Sequence, residues 1–331
     1  MPFLSLIGNE RIKKLLKRAV ADGRIGQGLI FAGPRGVGKH EFALALAQAV
    51  NCERPIEGDA CGKCVACRKI AAGEHLDVQT ISRDGAFIKV DQMREMSREA
   101  QFRPFEGRRR VYMLDDAERL NEKAANSILK TLEEPPDTSL ILLVTSKPYA
   151  LIETIRSRCQ MLNFAPLTVA ELEAHLGAKL KRPIEETHML ARLARGSVGR
   201  ALEIDLGEYR KTRGIMLELI ETMAVSRDTV RLMSAAEYLG KKLEREEFEQ
   251  HIDVLMVILG DVFHLKLGDG RESLTNSDVA ERLARVAEAT TLDEIIEWVD
   301  GIEKVLQGLI RNLNRQLAMD AVLVGSRDLG C

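Results

Sequence analysis

The run Gly33-Pro34-Arg35-Gly36-Val37-Gly38-Lys39-His40 constrains this chain more than any other part of it. It stands between the apolar run Leu29-Ile30-Phe31-Ala32 and the Ala/Leu-rich stretch 41–50. Its first seven positions fit a phosphate loop. Glycines there let backbone N–H groups converge on phosphate oxygens, and the next helix adds its N-terminal dipole. Such a loop needs a buried strand before it and a helix after it, and the flanking residues supply both. Lys39 is placed to reach the β/γ-phosphates. The eighth position normally offers a Ser or Thr hydroxyl to Mg²⁺. Here it is His40, and an imidazole is not the hard oxygen ligand that Mg²⁺ prefers. Weak ATP or ADP binding is therefore expected, and Mg²⁺-dependent hydrolysis is not.

A second apolar run, 111–114, ends in Asp115-Asp116. In a Walker B strand the first acid orients the metal's water shell and a following Glu polarises the attacking water. Asp115 holds the first place. Asp116 holds the second with a side chain shorter by one C–C bond, a setback of the size that costs about 100-fold in rate. The pair reads as a degenerate Walker B site. The plain alternative is two solvated acids at a strand end.

The apolar run 140–144 and the segment 78–81 also read as strands, and 6–22, 89–101 and 121–132 read as helices. Strands buried on both faces that alternate with helices indicate a parallel sheet covered on both sides, ending near Pro166. From 167 to 207 the pattern is short helices with a Gly-Ser-Val-Gly break at 196–199. All nine prolines lie between Pro2 and Pro183, so the rest of the chain lacks the strongest helix breaker. There Phe248, Ile252, Leu255, Leu259, Val262 and Phe263 keep helical spacing. So do Ile295, Val299, Ile302, Val305, Leu306, Leu309, Leu313 and Leu317. Both read as core-facing stripes of a bundle. The expected division is 1–166, 167–207 and 208–331.

Cys52, Cys61, Cys64 and Cys67 form C-x8-C-x2-C-x2-C inside an insertion. Four thiolates so close match a closed tetrahedral zinc site that staples structure. Free thiols, a disulfide pair and an iron–sulfur cluster are the alternatives. His75 is surplus to a filled site and is read as a surface residue. The chain has no long apolar leader and no stretch of about 18 uncharged apolar residues, so the expectation is a cytoplasmic protein without membrane partners. With 48 Lys+Arg against 50 Asp+Glu, a uniformly basic nucleic-acid coat is excluded.

Several stretches together resemble the AAA+ clamp-loader subunits of bacterial DNA polymerase III. They are 26–34, the knuckle 61–68, Ala125-Asn126-Ser127-Ile128-Leu129-Lys130-Thr131-Leu132-Glu133-Glu134-Pro135-Pro136, and Ile155-Arg156-Ser157-Arg158-Cys159. The resemblance covers residues 1 to about 205 well. Beyond that only 314–318 is similar to the family's last helix. It implies an AAA+ domain at 1–166 with the zinc module at 52–67, a helical lid at 167–207 and an all-α oligomerisation collar at 208–331. It implies that Arg158 is an arginine finger offered in trans, that Thr145 senses the γ-phosphate (sensor 1) and that Arg200 is the lid arginine (sensor 2). Arg108-Arg109-Arg110 are either DNA contacts or, the favoured reading, a solvated turn. The implied partners are the other loader subunits (delta, gamma/tau) in a hetero-pentamer, the sliding clamp, and primed DNA met through the assembly. His40 and Asp116 depart from the motor subunits, which carry Thr or Ser and Asp-Glu. The chain therefore reads as a stator subunit, with a gamma/tau-like motor ATPase as the alternative.

Overall fold

The structure is a computed structural model that describes residues 1–309 and 314–325. Leu313 and Cys331 lie outside the described residues. The chain divides into two units, 1–182 with 194–203, and 183–193 with 204–331. The segment 167–207, expected as one lid, is thus shared between them.

The first unit is built on five parallel strands: β1 (Gly28–Ala32), β2 (Val78–Ile81), β3 (Arg110–Leu114), β4 (Ser139–Thr145) and β5 (Gln160–Asn163), in the order β2-β3-β4-β1-β5. Alternate residues enter two separate cores. Leu29, Phe31, Val111, Met113, Leu140 and Leu142 face one. Ile30, Tyr112, Leu114, Ile141 and Leu143 face the other. This two-sided burial is why β1, β3 and β4 read as apolar runs, and all seven residues of β4 are buried. Helices α1 (Glu10–Ala21), α2 (Lys39–Asn51) and α3 (Val65–Ala72) supply the first core. Helices α4 (Val90–Glu99), α5 (Glu122–Glu133) and α6 (Glu153–Arg156) supply the second. Helix α7 (Val169–Leu180) belongs to the same unit and starts on a capping box, Thr168 with Glu171.

The second unit holds α8 (Ile184–Leu193), followed after α9 (Val198–Glu203, part of the first unit) by α10 (Leu206–Glu221), α11 (Thr229–Glu237), α12 (Arg245–Lys266), α13 (Ala280–Ala289), α14 (Leu292–Gly308) and α15 (Arg315–Val324). It contains helices only among its described residues, as the proline-free sequence indicates. The α12 stripe of Phe248, Ile252, Leu255, Leu259 and Val262 is buried, as are Ile295, Ile302, Val305 and Leu309. Leu317 corrects the expected stripe. It lies on α15, a separate helix capped by Asn314, and is 66% exposed. A new N-cap resets the helical phase, so spacing counted across it carries no meaning.

Candidate nucleotide site and metal centre

Three adjacent strands carry the candidate site at their C-terminal ends: the loop follows β1, Thr145 closes β4, and Asp115-Asp116 follow β3. The backbone of the loop explains its glycines. Gly33, Gly36 and Gly38 have φ of 156°, 71° and 93°. A Cβ on Gly36 would also fall 2.1 Å from Ser197 Oγ. Close approach is what ties α9 to the loop, with the Gly199 N–H donating to Gly36 O at 3.2 Å. Arg200 follows on α9 and is exposed.

Lys39 opens α2 and is buried. Its Nζ donates to Gly33 O at 2.7 Å and Pro34 O at 2.6 Å. Burial pulls its ammonium below the usual range, against the opposing pull of the Glu118 carboxylate. His40 Nδ1 sits 3.1 Å from Asp115 Oδ1 and 3.0 Å from Oδ2. This hydrogen bond raises the imidazole above its ordinary value, outweighing the effect of burial. Asp116 adopts a left-handed backbone (φ 50°) and faces Arg35 Nη2 at 3.6 Å and Arg83 Nε at 4.0 Å. The two acids are therefore neither a free metal-facing pair nor simply solvated.

Glu118 is the acid that sequence reasoning missed. It accepts from Thr145 Oγ1 and from Ser146 Oγ, each at 2.7 Å. Burial would raise its carboxyl, but those hydroxyls prevail and hold it below the ordinary range. The signal was present as the third acid of Asp115-Asp116-Ala117-Glu118, within a 3₁₀ turn that the apolar pattern does not announce. Thr145 is thus held by an acid at the strand end and does not merely cap it. The loop and strand ends enclose a cavity of about 460 Å³.

Arg158 lies elsewhere. It precedes β5, whose Gln160 pairs with Leu29, so it stands at the N-terminal ends of the strands, opposite the loop. Its guanidinium contacts Glu133 and donates to Thr154 O at 2.9 Å.

The four cysteine sulfurs of 52, 61, 64 and 67 lie within 4.8 Å of one another. A tetrahedral ion with bonds of about 2.3 Å spaces its sulfurs at about 3.8 Å, so this donor set fits one. Backbone N–H groups already point at the sulfurs: Cys61 N to Cys52 Sγ at 3.3 Å, Cys64 N to Cys61 Sγ at 3.4 Å, and Cys67 N to Cys64 Sγ at 3.5 Å. The N–H groups of Lys63 and Cys64 lower the Cys61 thiol to about 6, while burial raises Cys52 and Cys67. Asp59 anchors the module to the first residues, accepting from the N–H of Phe3 at 2.8 Å and of Leu4 at 3.1 Å.

His75 corrects its expectation as a surface residue. It is 4% exposed, and its Nδ1 accepts from the Asp77 N–H at 3.2 Å. The basic run is also pinned down. Asn51 Oδ1 accepts from the N–H of Arg108 and Arg109, and Arg110 reaches buried Asp77 at 3.6 Å. It is therefore not a freely solvated turn.

A phosphate loop on a parallel sheet, with strand-end acids on neighbouring strands, a four-cysteine module and a helical C-terminal unit, defines a P-loop protein of AAA+ type. Residues 8–168 match the family described as "DNA polymerase III, delta subunit", and 215–326 match its C-terminal part. The chain belongs to this family. Over 95% of its length it is 28% identical to the DNA polymerase III subunit delta' of Bacillus subtilis, covering 94% of that protein. It is 29% identical to the delta' subunit of Pseudomonas aeruginosa over 88% of this chain and 89% of that one. Over 61% of the chain it is 35% identical to the tau subunit of Escherichia coli, of which it spans about a third (32%). A gamma-subunit-related protein of Thermotoga maritima superposes on 94% of this chain and 96% of its own at TM-score 0.41 and 22% identity, too loosely for anything to follow from it. No described helix is long and apolar enough to cross a membrane.

Proposed function

We propose that this chain is a delta'-type clamp-loader subunit that acts as a stator in DNA replication. It completes a hetero-pentamer with delta and gamma/tau subunits, offers Arg158 to a neighbour's ATP, and helps that assembly open the sliding clamp for primed DNA. The matches to delta' subunits over nearly the whole chain support the loader role. The position of Arg158, at the far end of the strands from its own loop, supports action in trans. A guanidinium fork can stabilise charge on a phosphoryl group bound by a neighbouring subunit. In this reading Thr145 and Arg200 are vestigial nucleotide sensors, 167–207 works as a lid and 208–331 as a collar. The cysteines hold structural zinc, and the protein works in the cytoplasm.

One observation carries the non-motor assignment: His40 and Asp115 are bonded to each other, where a hydrolysing site places a metal between these positions. Steady-state ATPase of the single chain at saturating Mg·ATP tests it. Turnover of about 1 per second or more, the low end of ordinary enzymes, would overturn the stator reading. The rival, a gamma/tau-like motor ATPase, draws on the higher identity to tau over 61% of the chain. It requires high starting activity that His40→Thr leaves unchanged.

A further inference from the structure

We propose that the loop at 33–40 is a phosphate site that works without a divalent cation, taking a nucleoside di- or triphosphate through protein cations alone. The inference rests on the reading that this loop does not turn nucleotide over, and it adds what the loop then does.

In a phosphate-loop site Mg²⁺ sits among the eighth-position hydroxyl, the strand-end acid with its water shell, and the phosphate oxygens. Octahedral ligands at about 2.1 Å from such an ion stand about 3 Å apart when adjacent and about 4 Å apart when opposite, and Mg²⁺ prefers oxygen at each. In this chain the two positions are hydrogen-bonded directly to each other. His40 Nδ1 lies 3.0 Å from Asp115 Oδ2, and one of the two atoms is nitrogen. Asp116 is engaged as well, by Arg35 at 3.6 Å and Arg83 at 4.0 Å. The two strand-end carboxylates thus already face side-chain nitrogens of the protein, and the other acid of the cavity lining, Glu41, lies on α2.

The phosphate-facing half of the site is nevertheless built. Gly36 and Gly38 keep the positive φ that a phosphate loop's backbone needs, while the Gly33 N–H donates to Thr145 O at 3.3 Å. Lys39 is 6% exposed, and its ammonium rests on two carbonyls of the loop itself, Gly33 O and Pro34 O. These are neutral partners that a charged phosphate oxygen outcompetes, because hydrogen bonds between ionised groups are roughly twice as strong. Arg35 and Arg83 line the same cavity, whose volume of about 460 Å³ lies in the range of small-ligand pockets. Lys39, helped by Arg35 and Arg83 that are shared with Asp116, therefore supplies the positive charge that Mg²⁺ supplies elsewhere.

The test is equilibrium binding of methylanthraniloyl-ADP, followed by fluorescence on the full chain, with Mg²⁺ present or simply omitted. Omission rather than chelation spares the cysteine site. The expected result is a Kd that agrees within about twofold between the two conditions and weakens at least about tenfold in Lys39→Ala. His40→Thr, which restores a hydroxyl and frees Asp115, is expected to bind at least about tenfold tighter with Mg²⁺ than without it. Wild-type binding that tightens about tenfold with Mg²⁺ would overturn the proposal, as would no binding in either condition, Lys39→Ala binding as tightly as wild type, or a His40→Thr variant indifferent to Mg²⁺. The ADP probe is not hydrolysed, so a separate ATPase measurement reports on the stator reading independently.

Discussion

The guanidinium of Arg158 is held by the carboxylate of Glu133, the last residue of α5. The contact orients a side chain whose own residue sits on a short turn between α6 and β5. Arg158→Ala is expected to lower hydrolysis at the neighbouring site in the reconstituted loader by about 1,000-fold, the low end of what an arginine finger supplies, with assembly intact. Glu133→Gln keeps one oxygen acceptor and should give a smaller loss. ATPase assays on gel-filtered complexes check both. An unchanged rate in Arg158→Ala would remove the finger.

Elemental analysis of the purified chain should find about one zinc. Cys64→Ser should lose it and lower the melting temperature, because Cys64 is at once one of the four candidate ligands and the cap of α3, accepting from Cys67 N. Zinc retention should fall as pH falls, since protons compete for the thiolates. A metal-free protein with freely titrating cysteines would refute the site.

Buried Asp77 fastens the turn before β3. It accepts from the N–H of Phe105, Glu106 and Gly107, each at 2.7 Å, and faces Arg110. Burial alone would raise its carboxyl, yet these groups hold it below its ordinary value. Asp77→Asn should cost about 2–3 kcal/mol at neutral pH, measured by urea unfolding. A depressed carboxylate stabilises above its unfolded pKa and loses that contribution as pH falls through the folded one. The gap between wild type and variant should therefore be full above about pH 4 and shrink below it.

In the helical unit the fully buried Asn276 donates to Asp261 at 2.7 Å and accepts from Tyr209 Oη at 2.9 Å and Arg213 Nη1 at 3.1 Å. Asn276→Ala strands several of these partners and should destabilise that unit by about 3 kcal/mol. Limited proteolysis should then cut residues of the C-terminal unit first. Uniform protection would contradict the network's role.

The strands buried on both faces were legible because nothing interrupts their apolar runs. β5 was not, since Gln160-Met161-Leu162-Asn163 lies at the sheet edge and is polar at both ends. Helix α3 hid inside the cysteine insertion, where ligand spacing masks helical period. The phosphate loop and the four-cysteine set could be read from residue order because their chemistry is local. Glu118, His75 and Asp77 could not, for their roles depend on partners brought in by other segments: Thr145, the 105–107 turn and Arg110. The stripe drawn through Leu317 failed where a cap at Asn314 restarts the helix.

The pairing of β1 with β5 sets a pitch. Gly33 abuts Phe164 just after β5, and Arg158 sits in the turn just before it, so the four residues of β5, about 13 Å at the rise of an extended chain, stand between the two. Strand register is stiff, so each such unit carries its loop and its arginine at a fixed separation, like the two ends of a gauge block. In a head-to-tail ring the gap between one unit's arginine and the next unit's loop would then be set by docking angle alone. A single inserted residue in β5 would miscalibrate it while leaving both chemical groups intact.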